Sequence, residues 1–138
     1  MRPQETVLSF RISHPSLDLS EVCRSLGLEP RRIWKKGDDW PERGRTNGRK
    51  RESSYCTITL GNRSKDPPLD EKIAAALKLL KPHKAMLQQL SSSGGTFNFF
   101  VGWFLDDATG EAFSPQLMAT MAELQIELQL NIYVPDRE

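Results

Sequence analysis

The chain of 138 residues contains only two cysteines and two histidines. It therefore has few of the side chains that form disulfides or bind structural metal ions in small proteins. Cys23 and Cys56 stand far apart with no Cys-x-x-Cys pair, and the first residues lead into an alternating segment instead of an apolar signal-like run. We therefore expect a reducing, cytoplasmic location. No apolar run approaches the roughly 20 residues of a membrane helix, so no membrane contact is expected. The length suits one domain, residues 1–138.

Signatures of catalysis and metal binding are also scarce. His14 precedes a proline, His83 begins a helical stretch, and neither stands at ligand spacing from a cysteine or carboxylate. Both cysteines fall on apolar faces, where a thiol is unreactive. The serine run 91–93 lacks a nucleophile elbow, and the acidic stretch 106–111 lacks the spacing of a calcium loop. We expect no catalytic residues, no metal site and no cofactor.

Positive charge is concentrated in one segment although the net charge is only +1. Residues 31–51 hold nine of the nineteen lysines and arginines and three of the eighteen acidic residues, so the segment carries +6 and the remainder −5. Two tryptophans lie within it. The candidate binding residues are Arg31, Arg32, Trp34, Lys35, Lys36, Trp40, Arg43, Arg45, Arg49, Lys50 and Arg51.

Two interpretations of this segment remain open. Cations that neutralise phosphates, together with flat side chains that stack on bases, are typical of surfaces that bind nucleic acid or another polyanion. Alternatively, Trp34 is a core or lid residue, residues 36–38 form a tight turn, and the arginines solvate a long loop. The architectural interpretation is preferred.

The first half of the chain predicts two long strands and a short helix. Alternation predicts strands over 6–13 and 53–60, the second ended by Gly61. Asp18 and Glu21 have the spacing of a capping box, and Gly27 is a typical helix terminator. Residues 31–35 suit a short strand or an extended connection. The stretch 37–52 has no periodicity and predicts a flexible basic loop.

The second half predicts helices and two further strands. Helical spacing over 69–90 is interrupted by Pro82, so two helical pieces should meet there. Residues 97–105 predict a strand that lies inside the sheet, because both of its faces are apolar. Ser114 should cap the next helix, and alternation over 126–134 predicts the last strand. The inner residues of that helix are predicted to be Leu117, Met118, Met121 and Leu124.

The order of these elements predicts an α+β fold, with a mainly antiparallel sheet of about five strands and helices packed on one face. On the other face Phe100 and Phe104 would form an apolar contact patch. Either loop residues such as Trp34, Trp40 or Tyr55 bury these rings, or a homodimer covers them. Burial is the preferred alternative, so the chain is expected to be a monomer or a homodimer.

Several short motifs in this order resemble the bacterial family called domain of unknown function 4279. The motifs are Leu26-Gly-Leu-Glu-Pro30, Trp34-Lys-Lys-Gly-Asp38, Leu77-Lys-Leu-Leu-Lys-Pro82, Phe113-Ser-Pro115 and the final strand ending in Ile132-Tyr133. The chain departs from the pattern at Tyr55, where the family commonly has tryptophan. The resemblance implies a stand-alone bacterial α+β domain without an agreed activity, and some such small families serve as immunity-type or other interaction proteins.

These observations favour a non-enzymatic module that binds a protein partner through the basic segment and the open sheet face. The alternative is a protein that binds nucleic acid or another polyanion through residues 31–51. A steep dependence of affinity on salt concentration would distinguish the second from the first.

Overall fold

The computed structural model describes residues 4–42 and 45–134. A 3₁₀ turn, Lys81–His83, joins the second helix to the third. The elements in chain order are β1 (Glu5–His14), α1 (Ser20–Leu26), β2 (Arg32–Trp34), β3 (Asp39–Glu42), β4 (Arg45–Lys50), β5 (Ser54–Ser64), α2 (Leu69–Leu80), α3 (Lys84–Ser92), β6 (Thr96–Phe104), α4 (Pro115–Glu123) and β7 (Ile126–Tyr133).

Five strands form the main sheet in the order β2-β5-β1-β6-β7. The first three pairings are antiparallel, and β7 lies parallel to β6 because α4 carries the chain back between them. The predicted α+β class and mainly antiparallel sheet are confirmed. The strand predicted over 97–105 lies inside the sheet, as its two apolar faces indicated.

The helices cover one face of this sheet. Every second residue of β1, from Thr6 to His14, is buried, which is the period expected when only one face meets the core. Phe10 lies at the centre, with ring centroids 6.0 Å from Phe97 and 5.7 Å from Phe99. From α2, Ile73 and other apolar residues pack against these strands. The residues between the buried ones point to the opposite face of the sheet, which we call the open face.

The helix ends follow the sequence signals in part. Gly27 ends α1 with a positive φ of 69°, and Ser114 caps α4 by accepting a hydrogen bond of 3.1 Å from the backbone N–H of Leu117. The predicted capping box is wrong. Asp18 accepts from the N–H of Ser20, forming a local turn before the helix. Glu21 instead forms an ion pair with Arg24, three residues later in the helix.

The predicted break at Pro82 is confirmed, since the 3₁₀ turn there separates α2 from α3. One inner position of α4 was predicted wrongly. Met118 is 49% exposed, because α4 packs on the core through Leu117, Met121 and Leu124 and Met118 lies outside that contact.

Residues 37–52, predicted to lack regular structure, contain a hairpin. Strands β3 and β4 pair antiparallel in a small second sheet, which corrects the loop prediction. Two backbone hydrogen bonds join the base of the hairpin, Gly37 N to Arg51 O (2.9 Å) and Arg51 N to Asp38 O (2.8 Å). These strands are stabilised by cross-strand hydrogen bonds and lack an alternation of apolar and polar residues. Because that alternation is the sequence signal for a strand, the sequence did not predict β3 and β4. The flexibility of this segment stays a prediction.

Strand β5 continues past Gly61, where the sequence predicted its end. Gly61 lies opposite Leu8 at an irregular step in the β1–β5 pairing. A Cβ at this glycine would come 3.1 Å from the side chain of Lys72, so the glycine leaves room for that lysine. The buried Lys72 donates to the carbonyl oxygens of Thr6 (2.6 Å) and Ser64 (3.0 Å), which joins the two strands beyond the irregular step.

Candidate functional site

The open face of the sheet carries a groove of about 400 Å³ that crosses strands β2, β5, β1 and β6. It is lined by Val7, Ser9, Arg11, Arg31, Arg32, Trp34, Tyr55, Thr57 and Phe100. Three arginines and three aromatic rings therefore meet on a face that no helix covers. None of the described residues that line it is acidic.

Arg11 lies at the centre of the groove. Its guanidinium carbon is 3.7 Å from the centroid of the Phe100 ring, so the planar group lies against the ring. The Nε of Arg11 is buried without a hydrogen-bond partner, and so is Oδ1 of the neighbouring Asn98. Stacking holds a guanidinium flat and leaves its terminal N–H groups able to form bidentate hydrogen bonds. Arg11 is thus an oriented donor.

The outer wall of the groove comes from β2 and β5. A hydrogen bond of 2.7 Å from Arg31 N to Thr57 O fixes the entry to β2. Trp34 packs on Tyr55 with ring centroids 4.6 Å apart. The side chains of Arg31 and Arg32 are exposed at the rim.

The hairpin places further arginines beside this wall. The guanidinium of Arg51 lies 3.7 Å from the ring centroid of Trp34 and 4.4 Å from that of Trp40. Arg49 lies 4.5 Å from the same Trp40 ring. Each such contact contributes about 0.5–1 kcal/mol at exposed sites. Trp34 and Trp40 therefore connect the hairpin to the sheet through Arg51, which contacts both rings.

Phe100 and Phe104 are both half-buried, but not under the groups that the sequence suggested. Arg11 covers Phe100. Phe104 is stacked on Tyr133 (4.9 Å) and is covered by Arg63 at 3.7 Å. The proposed cover by loop tryptophans is wrong, because Trp34 and Trp40 pack against Arg51 at the β2 edge of the sheet.

The predicted basic residues separate into three groups. Arg31, Arg32 and Trp34 line the groove, and Trp40, Arg49 and Arg51 adjoin it. Lys35 and Lys36 are exposed beside the turn at Gly37, and Lys50 is ion-paired with Asp39. Arg43 lies outside the described residues, and no side-chain position is described for Arg45.

Four of the arginines in and beside the groove form no ion pair with an acidic residue within residues 4–42 and 45–134. The ion pairs of that part of the chain join other residues and leave Arg11, Arg31, Arg32 and Arg51 without a carboxylate. An array of uncompensated guanidinium groups attracts anions. The sequence interpretation missed Arg11, Tyr55 and Thr57, although the polar alternation of β1 indicated which face Arg11 occupies.

Groups suited to catalysis do not converge in the described part of the chain. The thiols of Cys23 and Cys56 lie 3.8 Å apart in the core, and burial raises the pKa of both. No three metal-ligating side chains cluster among the residues that the structure places. No described helix has the length and apolar character to cross a membrane.

Two other concavities have different chemistry. One, of about 420 Å³, lies between α2 and α4 over Leu77 and Leu117, with lysines at its rim. The other, of about 250 Å³, lies at the ends of β6 and β7 beside Phe104 and Tyr133. The described residues that line the former include no arginine, and those that line the latter include one, Arg63, which is paired with Glu5. The open-face groove, which brings three arginines together, is therefore the candidate site.

Comparison with known proteins gives a family and nothing more specific. No curated protein and no solved structure matches the chain. The model of one family matches residues 4–135, which include the groove, the hairpin and all seven strands. The chain belongs to that family, which is described as a domain of unknown function (DUF4279).

Proposed function

We propose that this chain is a non-enzymatic interaction module that binds an acidic segment of a protein partner across the open face of its sheet. The observation that carries the proposal is the arginine array, in which Arg11 and Arg51 are stacked on rings and lack carboxylate partners among the described residues. Guanidinium groups held in this way match carboxylates in bidentate geometry.

The size of the groove suits a short extended peptide. Four neighbouring strands span roughly 14 Å, because adjacent strands lie about 4.8 Å apart. An extended chain advances about 3.4 Å per residue, so about four residues would cross the groove. A segment with two or three acidic side chains would reach both the rim arginines and the central Arg11.

The state of the aromatic rings favours a carboxylate-bearing ligand over single-stranded nucleic acid. Binding of bases uses free ring faces as stacking platforms. Here a guanidinium already lies against each of Trp34, Trp40, Phe100 and Phe104. A base would have to displace these arginines, whereas a carboxylate would use their exposed edges.

Nucleic-acid binding is the second candidate, and the charge of +6 on residues 31–51 is what favours it. Backbone phosphates could bind the same arginines without stacking. Such binding should weaken with salt by a slope near −0.7 per neutralised phosphate on a single strand.

The test is a fluorescence-anisotropy titration with two probes, a short labelled polyglutamate peptide and a short labelled oligothymidine. The proposal expects the peptide to bind more tightly. The double variant Arg11→Ser, Arg32→Ser should weaken peptide binding by about tenfold or more, since charge-assisted hydrogen bonds are lost. Arg24→Ser is the matched control, because Arg24 is an exposed arginine of α1 that is paired with Glu21.

Three outcomes would count against the proposal. Tighter binding of oligothymidine, with the salt slope given above, would replace it by the nucleic-acid candidate. Failure of both probes to bind would remove the arginine groove as an anion site. Equal losses in the groove variant and in Arg24→Ser would show that net charge, not the groove, determines binding.

A further inference from the structure

Strand β7 forms one outer edge of the sheet and is long for an edge. It contains eight residues, whereas the opposite edge strand β2 has three. Among residues 4–42 and 45–134 no strand pairs with its outer side. A row of backbone donors and acceptors along this edge is available to another strand.

Large apolar side chains are exposed at this edge. Leu130 is 38% exposed, Ile132 55% and Val134 70%, so exposure increases steadily from the buried start of β7 toward its end. The helices cover only Ile126 and part of Leu128, and the rest of the alternating face extends beyond them.

The edge carries none of the features by which proteins prevent pairing. Lysine, arginine, proline and bulges are the usual obstacles on edge strands. Residues 126–133 contain no lysine, arginine or proline, their pairing with β6 has no irregular step, and Glu127 is the single charge. A long edge strand with a single charge favours association.

The exposed apolar residues are also those whose backbone groups point outward. The carbonyl of Tyr133 accepts from Leu105 N (2.9 Å), on the side of β6. Backbone N–H and C=O groups alternate in direction along a strand. The free groups of Leu128, Leu130 and Ile132 therefore point away from the sheet.

We propose that a second copy of this chain pairs with β7 through its own β7, antiparallel about a two-fold axis. Opposed residues of an antiparallel pair share a face. With Leu130 opposite its own copy, Leu128 faces Ile132 and Ile126 faces Val134, so every contact on this face is apolar. On the other face Glu127 meets Tyr133, and Gln129 meets Asn131. The edge is thus complementary to itself, and no like charges are opposed.

The two-fold axis would stand perpendicular to the sheet and join two five-stranded sheets into one of ten strands. The open faces of both copies would then lie on the same side. A partner with two acidic segments could bind both grooves at once, which increases apparent affinity without new contacts. That consequence depends on the proposed function, whereas the dimer does not.

The test is sedimentation equilibrium from low micromolar to millimolar concentration. The wild-type chain should change from its 15.7 kDa monomer to a species of twice that mass. Ile132→Lys, which places a charge on the edge at an exposed position, should raise the dissociation constant by about tenfold or more. Met118→Lys, an equally exposed position on α4, should leave it unchanged.

Hydrogen exchange locates the contact independently of any substitution. The amides of Leu128, Leu130 and Ile132 should exchange more slowly as protein concentration rises. The amides of Gln129 and Asn131, which point toward β6, should not change. A monomeric mass at every concentration would overturn the proposal. So would a dimer that Ile132→Lys leaves intact but Phe100→Ser dissociates, because that dimer would use the open face.

Discussion

Aromatic rings on the two faces of the sheet have different kinds of neighbours. Phe99 and Phe100 are consecutive residues of β6. Phe99 is fully buried and packs edge-on against Phe10 at 5.7 Å. Phe100 is half-buried under the guanidinium of Arg11 at 3.7 Å. One ring is covered by carbon and the other by a cation.

The difference decides what each face can do. On the covered face the packed side chains have fixed shapes, so that face contributes stability and has no free donor to offer. On the open face an arginine is held flat by a ring while its N–H groups remain available. The aromatic residues of the open face therefore position arginines, and under the proposed function those arginines would contact the ligand.

The largest predicted effect compares these neighbours directly. Phe99→Ala should lower the free energy of unfolding by about 3–5 kcal/mol, because it leaves a cavity in the core. Phe100→Ala should lower it by about 1 kcal/mol or less, as expected for a partly exposed position. Urea denaturation of both variants measures the difference. Equal losses would show that the two faces are packed alike.

The second prediction compares Lys72, a buried cation of α2 on the covered side of the sheet, with the arginines of the groove. Lys72 is 4% exposed and its ammonium group donates to three oxygens, so its donors are already used. Lys72→Met should lower the free energy of unfolding by about 1–3 kcal/mol, because buried carbonyl oxygens lose their donor. Lys78→Met, at an exposed position of the same helix, is the control and should change stability by less than about 0.5 kcal/mol.

The third prediction uses a carboxylate that stabilises the covered side. Glu111 accepts hydrogen bonds from Asp70 N (3.0 Å) at the start of α2 and from Gln4 (3.1 Å). Gln4 in turn accepts from the indole of Trp103 (2.6 Å). Burial nevertheless raises the pKa of Glu111 above its ordinary value of 4.5. The folded protein thus holds this proton more tightly than the unfolded chain.

The sign of the pH dependence follows from that shift. The contribution of Glu111 to stability is fully present below its ordinary pKa and decreases as pH rises through the raised folded-state pKa. The free energy of unfolding of the Glu111→Gln variant should not show this decrease with rising pH. The stability of the variant relative to wild type should therefore be greater at about pH 7 than at about pH 4. Urea midpoints at both pH values measure this, and a difference that does not change with pH would contradict it.

The smallest effect concerns accessibility. Cys23 and Cys56 lie on the covered side and their thiol pKa values are raised by burial, so they should not react with a thiol reagent until the protein unfolds. Ser9→Cys, on the wall of the groove, should react in the native state. Protection of that new thiol by polyglutamate would link the groove to binding. Rapid native reaction of the wild-type protein would show that the core opens readily.

The sequence predicted the elements with a strong period and missed those without one. Alternation located β1 and the position of β6 inside the sheet, and Pro82 marked the break between α2 and α3. The hairpin at 39–50 was missed because charged and glycine residues give no apolar alternation. The exposure of β7 was missed for a different reason. Its period is clear, but no pattern indicates how far the helices extend over a strand.

The sequence identified some residues of the candidate site but not how the fold arranges them. Arg31, Arg32 and Trp34 line the groove as the charge of their segment suggested. Arg11 and Tyr55 come from strands distant in sequence, and their approach depends on the register of β1 with β5 and β6. Lys50 resembles the other cations of the segment in sequence, but its ion pair with Asp39 results from the hairpin.

The sequence by itself determined the α+β class, the family, and which residues of each long strand share a face, because these depend on local periodicity and short motifs. Tertiary structure alone decided what covers each face. Whether a ring meets carbon or a guanidinium, and whether the alternating face of β7 is buried or exposed, depends on contacts between elements far apart in the chain. Such contacts leave no local pattern in the sequence.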